Sequence, residues 1–296
     1  MILSILALIG IICAHLSCNL FDDYFDYRNA GIEAREKLHR AGMRARIAKA
    51  TYLAEGQATL KETRNAASAF GAIAIAIGIV ILVLRGLPIL YLALIGGVLG
   101  FFYSAKPLML CYRGLGELVI GIIFGPLLMV GMSIACCGTI PPGMWLLSSA
   151  VGLLVINILY THSIMDAAPD TSVGKKTLAT LLHTPTKMLA ASLCTNILPY
   201  VLIILGVVLK MLSPWVLLSF VTLPMAISLF RFMVLFVEEN EKKLPPSHHK
   251  PAKWMGKMEN WEEIEKAEID WFMLRWYLAR NTLSTFVLVA AVAAFF

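Results

Sequence analysis

The chain has 296 residues, of which 59% are apolar and 15% are charged, and its mean hydropathy is +0.77. A soluble protein of this length cannot bury that much apolar surface in its interior, so the composition excludes an ordinary soluble domain. The formal net charge of +6 at pH 7 suits a membrane face that meets anionic lipids or an anionic substrate, and it needs no nucleic acid partner. The sequence therefore predicts an integral membrane protein in a lipid bilayer.

Apolar stretches that could cross about 30 Å of hydrocarbon as helices recur along the whole chain. Eight spans are predicted, at residues 3–21, 66–85, 88–104, 115–136, 142–163, 187–209, 214–237 and 277–296. A capping box from Thr59 to Glu62 precedes the second span, and Ser213-Pro214 starts the seventh. Strands of a membrane barrel would alternate apolar and polar residues instead. We therefore expect an all-α, polytopic transmembrane bundle that forms a single domain over residues 1–296.

The distribution of Lys and Arg orients these spans. If the spans alternate in direction, one face of the membrane carries the loops 22–65, 105–114, 164–186 and 238–276. With Lys187 and Arg280 counted at the loop edges, this face holds 22 of the 25 Lys and Arg residues. The opposite face holds only Arg85 and Lys210. By the positive-inside rule the basic face is cytoplasmic, and we expect a multi-pass protein of the cell (inner) membrane.

Two polar stretches of the basic face lie outside the predicted spans. Residues 28–65 mix Arg, Lys and Glu with apolar positions, which is typical of helical pieces that lie on a membrane surface. Residues 238–276 contain four of the six tryptophans of the chain. Because tryptophan is enriched where membrane meets water, this stretch is predicted to be an interfacial segment rather than a regulatory domain.

The first span ends in an unusual polar stretch, CNLFDDYFDYRNAG, at residues 18–31. On a helix with 100° per residue, four oxygen-bearing side chains fall within an arc of about 100°: those of Asn19, Asp22, Asp23 and Asp26. Carboxylates that converge in this way repel one another unless a cation lies among them. A cluster of hard oxygen ligands suits Mg²⁺, which keeps waters and shares phosphate oxygens. The alternative is a solvated acidic turn without a function.

A second acidic cluster closes the fifth span, in THSIMDAAPDTSVGKKTLA at residues 161–179. Asp166 and Asp170 lie one helical turn apart, and Lys175 and Lys176 follow. Four spans separate the two clusters, and an even number of crossings returns the chain to the same face. Two facing carboxylate clusters with lysines nearby are what a Mg²⁺-bridged diphosphate requires.

Together with YSAKPLMLCYRGLGELVIGIIFG at 103–125, these motifs resemble the UbiA superfamily of intramembrane prenyltransferases. The segments YRGLGE (112–117) and GKKTLA (174–179) are most similar to the branch that prenylates 1,4-dihydroxy-2-naphthoate for menaquinone. The resemblance implies a helical bundle around a central chamber, with an isoprenyl diphosphate held by Mg²⁺ at its cytoplasmic mouth. It also implies that the isoprenyl chain is transferred to an electron-rich aromatic acceptor.

The same resemblance suggests roles for individual residues. Catalytic roles are expected for Asp23, Asp166 and Lys106. Metal binding, mostly through the diphosphate, is expected from Asn19, Asp22, Asp23, Asp26, Asp166 and Asp170. Substrate contacts are expected from Arg113, Lys175, Lys176, Arg44, Arg46, Tyr103 and Asn157. Each basic residue has the alternative role of an ordinary cytoplasmic charge, and Asn157 that of a hydrogen bond between helices. Arg113 is one turn before Glu117 and could neutralise it.

The sequence departs from the family pattern at three places. The span that usually precedes the first aspartate motif is missing, so we expect the N-terminus outside the cell. Tyr27 stands where the last aspartate of the first motif is expected. His162 to Met165 replace an Asn-Asn-x-Arg run of the naphthoate branch. This last difference leaves 4-hydroxybenzoate, or another lipid or quinone precursor, as an alternative acceptor.

Functions of other classes fit the sequence less well. An anion transporter would carry charges on both faces or broken helices in matching halves, and the sequence indicates neither. A CDP-alcohol phosphotransferase also uses aspartates at the membrane boundary, but its DGxxAR continuation is absent after Asp26. A scaffold without catalytic activity remains an alternative, which the two acidic clusters argue against.

Overall fold

The computed structural model describes residues 2–41, 50–172, 174, 176–239 and 250–296. Secondary structure in these ranges is helical apart from one isolated β-bridge. The α-helices are α1 Ile2–Ala41, α2 Thr51–Ala54, α3 Leu60–Arg85, α4 Leu87–Phe101, α5 Gly116–Ile122, α6 Leu128–Cys137, α7 Met144–Met165, α8 Ala167–Ser172, α9 Leu178–Leu182, α10 Pro185–Val208, α11 Leu223–Glu239, α12 Trp261–Lys266 and α13 Asp270–Ala293. A π turn, Ile123–Leu127, joins α5 to α6, and a 3₁₀ helix, Pro214–Thr222, leads into α11.

Seven helical segments of the described chain are long and apolar enough to cross a membrane. They are Ile2–Arg28, Leu60–Arg85, Gly116–Cys137, Met144–Met165, Pro185–Val208, Pro214–Glu238 and Asp270–Ala293. Each coincides with a span predicted from the sequence. The structure thus confirms an all-α, polytopic helical bundle.

The remaining predicted span, the third at residues 88–104, corresponds to α4, which has only 15 residues, or about 22 Å of helix. Hydrogen bonds near its two ends show that it nonetheless runs the length of the bundle. On one side Arg85, which ends α3, donates to the backbone carbonyls of Ala135 and Cys136 at the end of α6. On the other side Ser104, just after α4, donates to Asp22 of α1. Helix α4 therefore connects opposite ends of the bundle, and the two acidic clusters lie at the same end.

Two helices differ in length from the sequence-based prediction. Helix α1 continues beyond the predicted span 3–21, through the acidic motif, to Ala41, because residues 32–41 are rich in the helix formers Ala, Glu, Lys, Arg and Leu. Helix α13 begins at Asp270, seven residues earlier than predicted. Its first turns are buried by other parts of the protein and not by lipid, since the side chains of Phe272 and Leu274 are at most 2% exposed.

Close helix contacts bring the site-bearing elements together. Ser17 of α1 donates a hydrogen bond of 2.8 Å to the Ala67 carbonyl of α3. The segment around the π turn packs directly on α7, where a Cβ on Gly125 would lie 2.6 Å from the Gly152 Cα. Such glycine contacts let helix backbones approach closely in membranes. The π turn contains Pro126, which accounts for the local change of helical hydrogen bonding.

Of the predicted interfacial segment 238–276, residues 240–249 lie outside the described residues, and the part at 250–269 is bonded to α13. Asn281 donates to the Met255 carbonyl at 2.8 Å, and the Tyr277 hydroxyl donates to the Glu259 carbonyl at 3.2 Å. The Trp254 side chain is 48% exposed. An exposed indole beside a helix that enters the membrane is what an interfacial aromatic belt requires.

Candidate active site between helices α1, α7 and α8

The first acidic cluster is held by hydroxyl groups from two other segments. Asp22 accepts a hydrogen bond from Ser104, and Asp26 accepts one of 2.6 Å from the Tyr112 hydroxyl. Both donors belong to the loop 102–115 between α4 and α5, which we call the connecting loop. Asp23 accepts a hydrogen bond of 3.0 Å from the Tyr52 hydroxyl of α2. All three carboxylates are half-buried, so these bonds fix their directions more firmly than solvent would.

Tyr112 is suited to remain a donor in this position. Burial, together with the neighbouring Asp26 carboxylate, raises the pKa of the Tyr112 phenol above its usual value. A phenol with a raised pKa stays protonated at neutral pH and can donate only one hydrogen bond, which here goes to Asp26. The pair therefore keeps its arrangement over the range in which aspartates are ionised.

The second acidic cluster lies where α7 ends. Asp166 follows the last residue of α7, Asp170 lies in α8, and both are only 4% exposed. The Asp170 backbone N–H donates to the Asp166 carbonyl at 2.8 Å, so one helical turn separates the two side chains. Helix α8 contacts α1. The structure thus places the two acidic clusters on neighbouring elements at one end of the bundle.

The segments 112–117 and 174–179 are docked against each other. Arg113 and Lys176 form an isolated parallel β-bridge. The next residue, Gly114, has a φ of +78°, which glycine adopts without strain. A Cβ at Gly114 would overlap Leu181 and would lie 3.3 Å from the Thr177 carbonyl oxygen. The two stretches that suggested the naphthoate branch therefore form one contact surface beside the acids.

Glu117 completes this contact and differs from expectation. The sequence suggested that Arg113 neutralises it, but the Arg113 guanidinium donates to the Pro107 carbonyl at 3.0 Å. Glu117 is 4% exposed and accepts hydrogen bonds from the Ser163 hydroxyl at 2.5 Å and from the Leu178 N–H at 3.2 Å. The carboxylate thereby joins α5, α7 and α9. One of its donors, Ser163, lies in the last turn of α7, three residues before Asp166.

The predicted basic contacts are distributed around this end of the bundle. Lys106, Arg113 and Lys176 are exposed, so their charges are available to a ligand that arrives from solvent. Arg44, Arg46 and Lys175 lie outside the described residues. Tyr103 is half-buried in the connecting loop.

Asn157 lies deeper, between α7 and α10, and is 1% exposed. Its side chain accepts from Thr195 at 3.0 Å and donates to Asn196 at 3.2 Å. Asn157 therefore forms hydrogen bonds between helices, which was one of the two roles suggested by the sequence. The other role, a contact with substrate, stays a prediction.

Sequence reasoning missed His15. It lies seven residues before Asp22, which on α1 means the same face of the helix, about 10 Å deeper in the membrane. Its ring nitrogen is 3.1 Å from the Asn19 amide nitrogen, and its ring packs edge-on against Phe124 at 5.3 Å. The helical spacing of His15, Asn19, Asp22 and Asp26 was the signal that could have identified it, since an ionisable side chain inside a span is a candidate functional residue.

The donor set fits a hard cation that shares its ligands with a substrate. Within the described residues there is no group of three or more His, Cys, Asp or Glu side chains arranged to hold a metal ion. Mg²⁺ is commonly bound by one or two carboxylates, waters and substrate phosphates, and it does not need such a group. The carboxylates of Asp22, Asp23, Asp26, Asp166 and Asp170 could therefore hold Mg²⁺ together with a diphosphate.

Comparison with known proteins identifies the family. The sequence profile of the UbiA prenyltransferase family matches residues 2–255. The chain belongs to the UbiA prenyltransferase family. Within this family it is 26% identical over 211 residues to the 1,4-dihydroxy-2-naphthoate octaprenyltransferase of Bacillus subtilis (strain 168). These aligned residues make up 71% of this chain and 64% of the relative. It therefore spans somewhat less than two thirds of that protein.

Two further UbiA proteins are similar. The UbiA prenyltransferase domain-containing protein 1 of Dictyostelium discoideum is 33% identical over 94 residues, which are 32% of this chain and 28% of that protein. The apo structure of a UbiA homolog from Aeropyrum pernix K1 matches with a TM-score of 0.57 and 19% identity, over 97% of this chain and 90% of the other. At that identity the structural match establishes the UbiA fold.

Proposed function

We propose that this UbiA-family protein is a Mg²⁺-dependent prenyltransferase that moves an isoprenyl chain from an isoprenyl diphosphate to an aromatic acceptor. The observation that carries the proposal is the pair of acidic clusters at one end of α1 and at the α7–α8 junction, with the connecting loop bonded to the first cluster and docked beside the second. Membership of the UbiA family supports the reaction class.

The residues divide the work of such a reaction by charge. Exposed Lys106, Arg113 and Lys176 would attract the diphosphate and hold its outer oxygens. Mg²⁺, when bound, would neutralise the diphosphate and improve it as a leaving group. Ser104 and Tyr112 keep Asp22 and Asp26 pointing in fixed directions, so little reorganisation is needed when charge develops. The apolar spans exclude water from the allylic cation that forms as the carbon–oxygen bond breaks.

We further propose 1,4-dihydroxy-2-naphthoate as the acceptor. The similarity to the 1,4-dihydroxy-2-naphthoate octaprenyltransferase of Bacillus subtilis supports this choice. Attack by the ring carbon that bears the carboxylate forms the new carbon–carbon bond, and loss of CO₂ returns the electron pair to the ring and restores aromaticity. His15 and Asn19 lie on the acid-bearing face of α1 at a depth suited to hydrogen-bond a ring hydroxyl.

One assay tests reaction and acceptor together. The purified protein in detergent is incubated with a labelled isoprenyl diphosphate, Mg²⁺ and equal amounts of three acceptors, and the products are identified by mass spectrometry. The acceptors are dihydroxynaphthoate, 4-hydroxybenzoate and a glycerol phosphate ether lipid. We expect a prenylated, decarboxylated naphthalene product. Prenylation of 4-hydroxybenzoate alone would replace the acceptor, whereas prenylation of a glycerol phosphate ether lipid instead of either acid would reject the aromatic assignment.

We place the site on the cytoplasmic face of the cell membrane. The excess of Lys and Arg at the acid-bearing end supports this orientation. Cys137 is exposed at the opposite end, where α6 finishes. A variant that keeps only Cys137 should react with an impermeant thiol reagent from outside intact cells, and a variant with its single cysteine at Lys176 should react only after lysis. The reverse pattern would invert the topology.

A further inference from the structure

A second polar feature lies outside the acidic site, at the same end of the bundle. It is a shallow, widely open cavity of about 370 Å³, lined by Tyr24, Arg28, Leu60, Lys61 and Arg64. Arg28 ends the first membrane-crossing segment and Leu60 begins the second. The cavity therefore lies at the edge of the hydrocarbon layer, between α1 and α3. We call it the α1–α3 basic pocket.

The α1–α3 basic pocket is separate from the acidic site. On α1, Tyr24 and Arg28 lie about 200° and 240° around the helix from Asp22. Asp22 and Asp26 are turned toward the connecting loop by their bonds to Ser104 and Tyr112. A ligand in the basic pocket would thus occupy the far side of α1.

Among the described residues, the three cations of the pocket make no direct ion pair. Arg28 donates to the Tyr24 hydroxyl at 3.1 Å, and Arg64 is 3.4 Å from the Asn65 amide oxygen. Within the described part of the chain, none of Arg28, Lys61 and Arg64 forms an ion pair with a carboxylate. The nearest acid along the helix, Glu62, is engaged by Thr59 in the capping box.

The charges are also placed against the helix dipole. Lys61 and Arg64 lie in the first two turns of α3, where the positive end of the helix dipole disfavours basic residues. Like charges that share one pocket repel one another as well. An anion bound in the pocket would offset both the unfavourable interaction with the helix dipole and the repulsion between the cations.

The surroundings indicate which kind of anion fits. Along α3 the residues Lys61, Arg64, Ile75 and Ile79 fall on one stripe of about 60°. Ile75 and Ile79 are 66% and 55% exposed, so the stripe below the pocket faces lipid tails. A ligand with an anionic head and an apolar body matches a basic pocket at the membrane edge above an apolar stripe.

We propose that the α1–α3 basic pocket binds the phosphate-bearing headgroup of an anionic glycerophospholipid from the bilayer. Arg28 and Arg64 supply planar donors for phosphate oxygens, Lys61 adds a point charge, and the Tyr24 ring lines the wall. The acyl chains of the lipid lie along Ile75 and Ile79. This site does not depend on the acceptor or on the reaction proposed above.

Native mass spectrometry of the full chain in detergent tests the site. The protein is titrated with phosphatidylglycerol or with phosphatidylcholine of the same chain length. The test variant is Arg28→Gln/Lys61→Gln/Arg64→Gln. The control variant, Lys187→Gln/Lys250→Gln/Lys253→Gln, removes the same charge from exposed lysines elsewhere. Should the triple test variant fold poorly, Lys61→Gln alone is used with Lys187→Gln as its control.

We expect the wild-type chain to prefer phosphatidylglycerol by about tenfold or more, since each Lys or Arg near an anionic headgroup adds several-fold. The test variant should lose this preference, and the control variant should keep it. Equal preference in test and control variants would overturn the proposal. Displacement of the lipid by millimolar inorganic phosphate would also overturn it, because the pocket would then be a site for free anions.

Discussion

Tyr112 donates a hydrogen bond of 2.6 Å to Asp26, although 86 residues of chain separate the two. The residue after Tyr112 forms a β-bridge with Lys176, which follows the second acidic cluster. One short loop between α4 and α5 therefore touches both halves of the candidate site. Its side chains should control how the two acidic clusters sit relative to each other, and substitutions in this loop should affect function more than its exposure suggests.

The acidic clusters should be essential for turnover and dispensable for folding. Asp23→Asn and Asp166→Asn each remove a charge that a metal-bound diphosphate requires, so kcat/KM should fall at least about 100-fold. Glu262→Gln, which removes an exposed carboxylate of α12, serves as the control and should leave activity unchanged. Radiolabel transfer measured with and without EDTA checks the metal requirement, and activity that persists in EDTA would contradict it.

Tyr112→Phe should weaken diphosphate binding without changing the pH profile. Loss of a hydrogen bond to a charged group costs about 1.5–3 kcal/mol, so the KM for isoprenyl diphosphate should rise roughly tenfold to hundredfold. Because the raised pKa keeps the phenol protonated, the wild-type profile should contain no Tyr112 ionisation below about pH 10. The control is Tyr91→Phe at a tyrosine that is 59% exposed. A profile that changes shape in Tyr112→Phe would argue that the phenol titrates.

Glu117 and Ser163 should be energetically coupled. Removing either partner of a buried hydrogen bond costs about 1–3 kcal/mol of unfolding free energy. In a double-mutant cycle with Glu117→Gln and Ser163→Ala, we expect a coupling energy of about 0.5–3 kcal/mol. Chemical unfolding in detergent measures the four free energies, and Glu238→Gln at the exposed end of α11 is the control. Strictly additive losses would show that the two side chains act independently.

Gly114→Ala should undock the two loops. Alanine at this position would have to adopt a φ of +78°, which costs about 1–2 kcal/mol in backbone strain. Its methyl group would also overlap Leu181, which costs about 1–3 kcal/mol in overpacking. Gly78→Ala, in α3 where a Cβ meets nothing within 4 Å, should be neutral or slightly stabilising. Thermal unfolding and binding of isoprenyl diphosphate measure both effects. If Gly114→Ala matches the Gly78→Ala control, the docking of the loops does not matter.

Several features of this protein could be predicted from the sequence because their causes are local. Apolar stretches of helix length determine membrane spans, since backbone groups in lipid must bond within their own helix. The 100° spacing of helical residues placed Asp22, Asp23 and Asp26 on one face before any contact was known. The capping box at Thr59 and Glu62 was likewise predicted, and both of its hydrogen bonds are present.

Partners across long stretches of chain could not be predicted. Nothing local distinguishes Tyr112 as the donor to Asp26, or Tyr52 as the donor to Asp23. Glu117 lies one turn after Arg113, and helical proximity suggested a pair, but packing of α7 and α9 supplied Ser163 and the Leu178 N–H instead. Tertiary contacts outweigh proximity along the helix here, because a buried carboxylate accepts hydrogen bonds from the donors that the packed helices bury beside it.

The sequence by itself determined that this protein is a membrane protein built of helices and that both acidic clusters lie at one end of the bundle, since hydropathy and helical period act residue by residue. Only the tertiary structure decided that segments 112–117 and 174–179 meet, that His15 joins the acid-bearing face through Asn19, and that Arg28 of α1 shares a pocket with Lys61 and Arg64 of α3. These contacts depend on how closely two helices approach, which small residues such as Ser17 and Ala67 set where the helices touch and which no pattern within one helix contains.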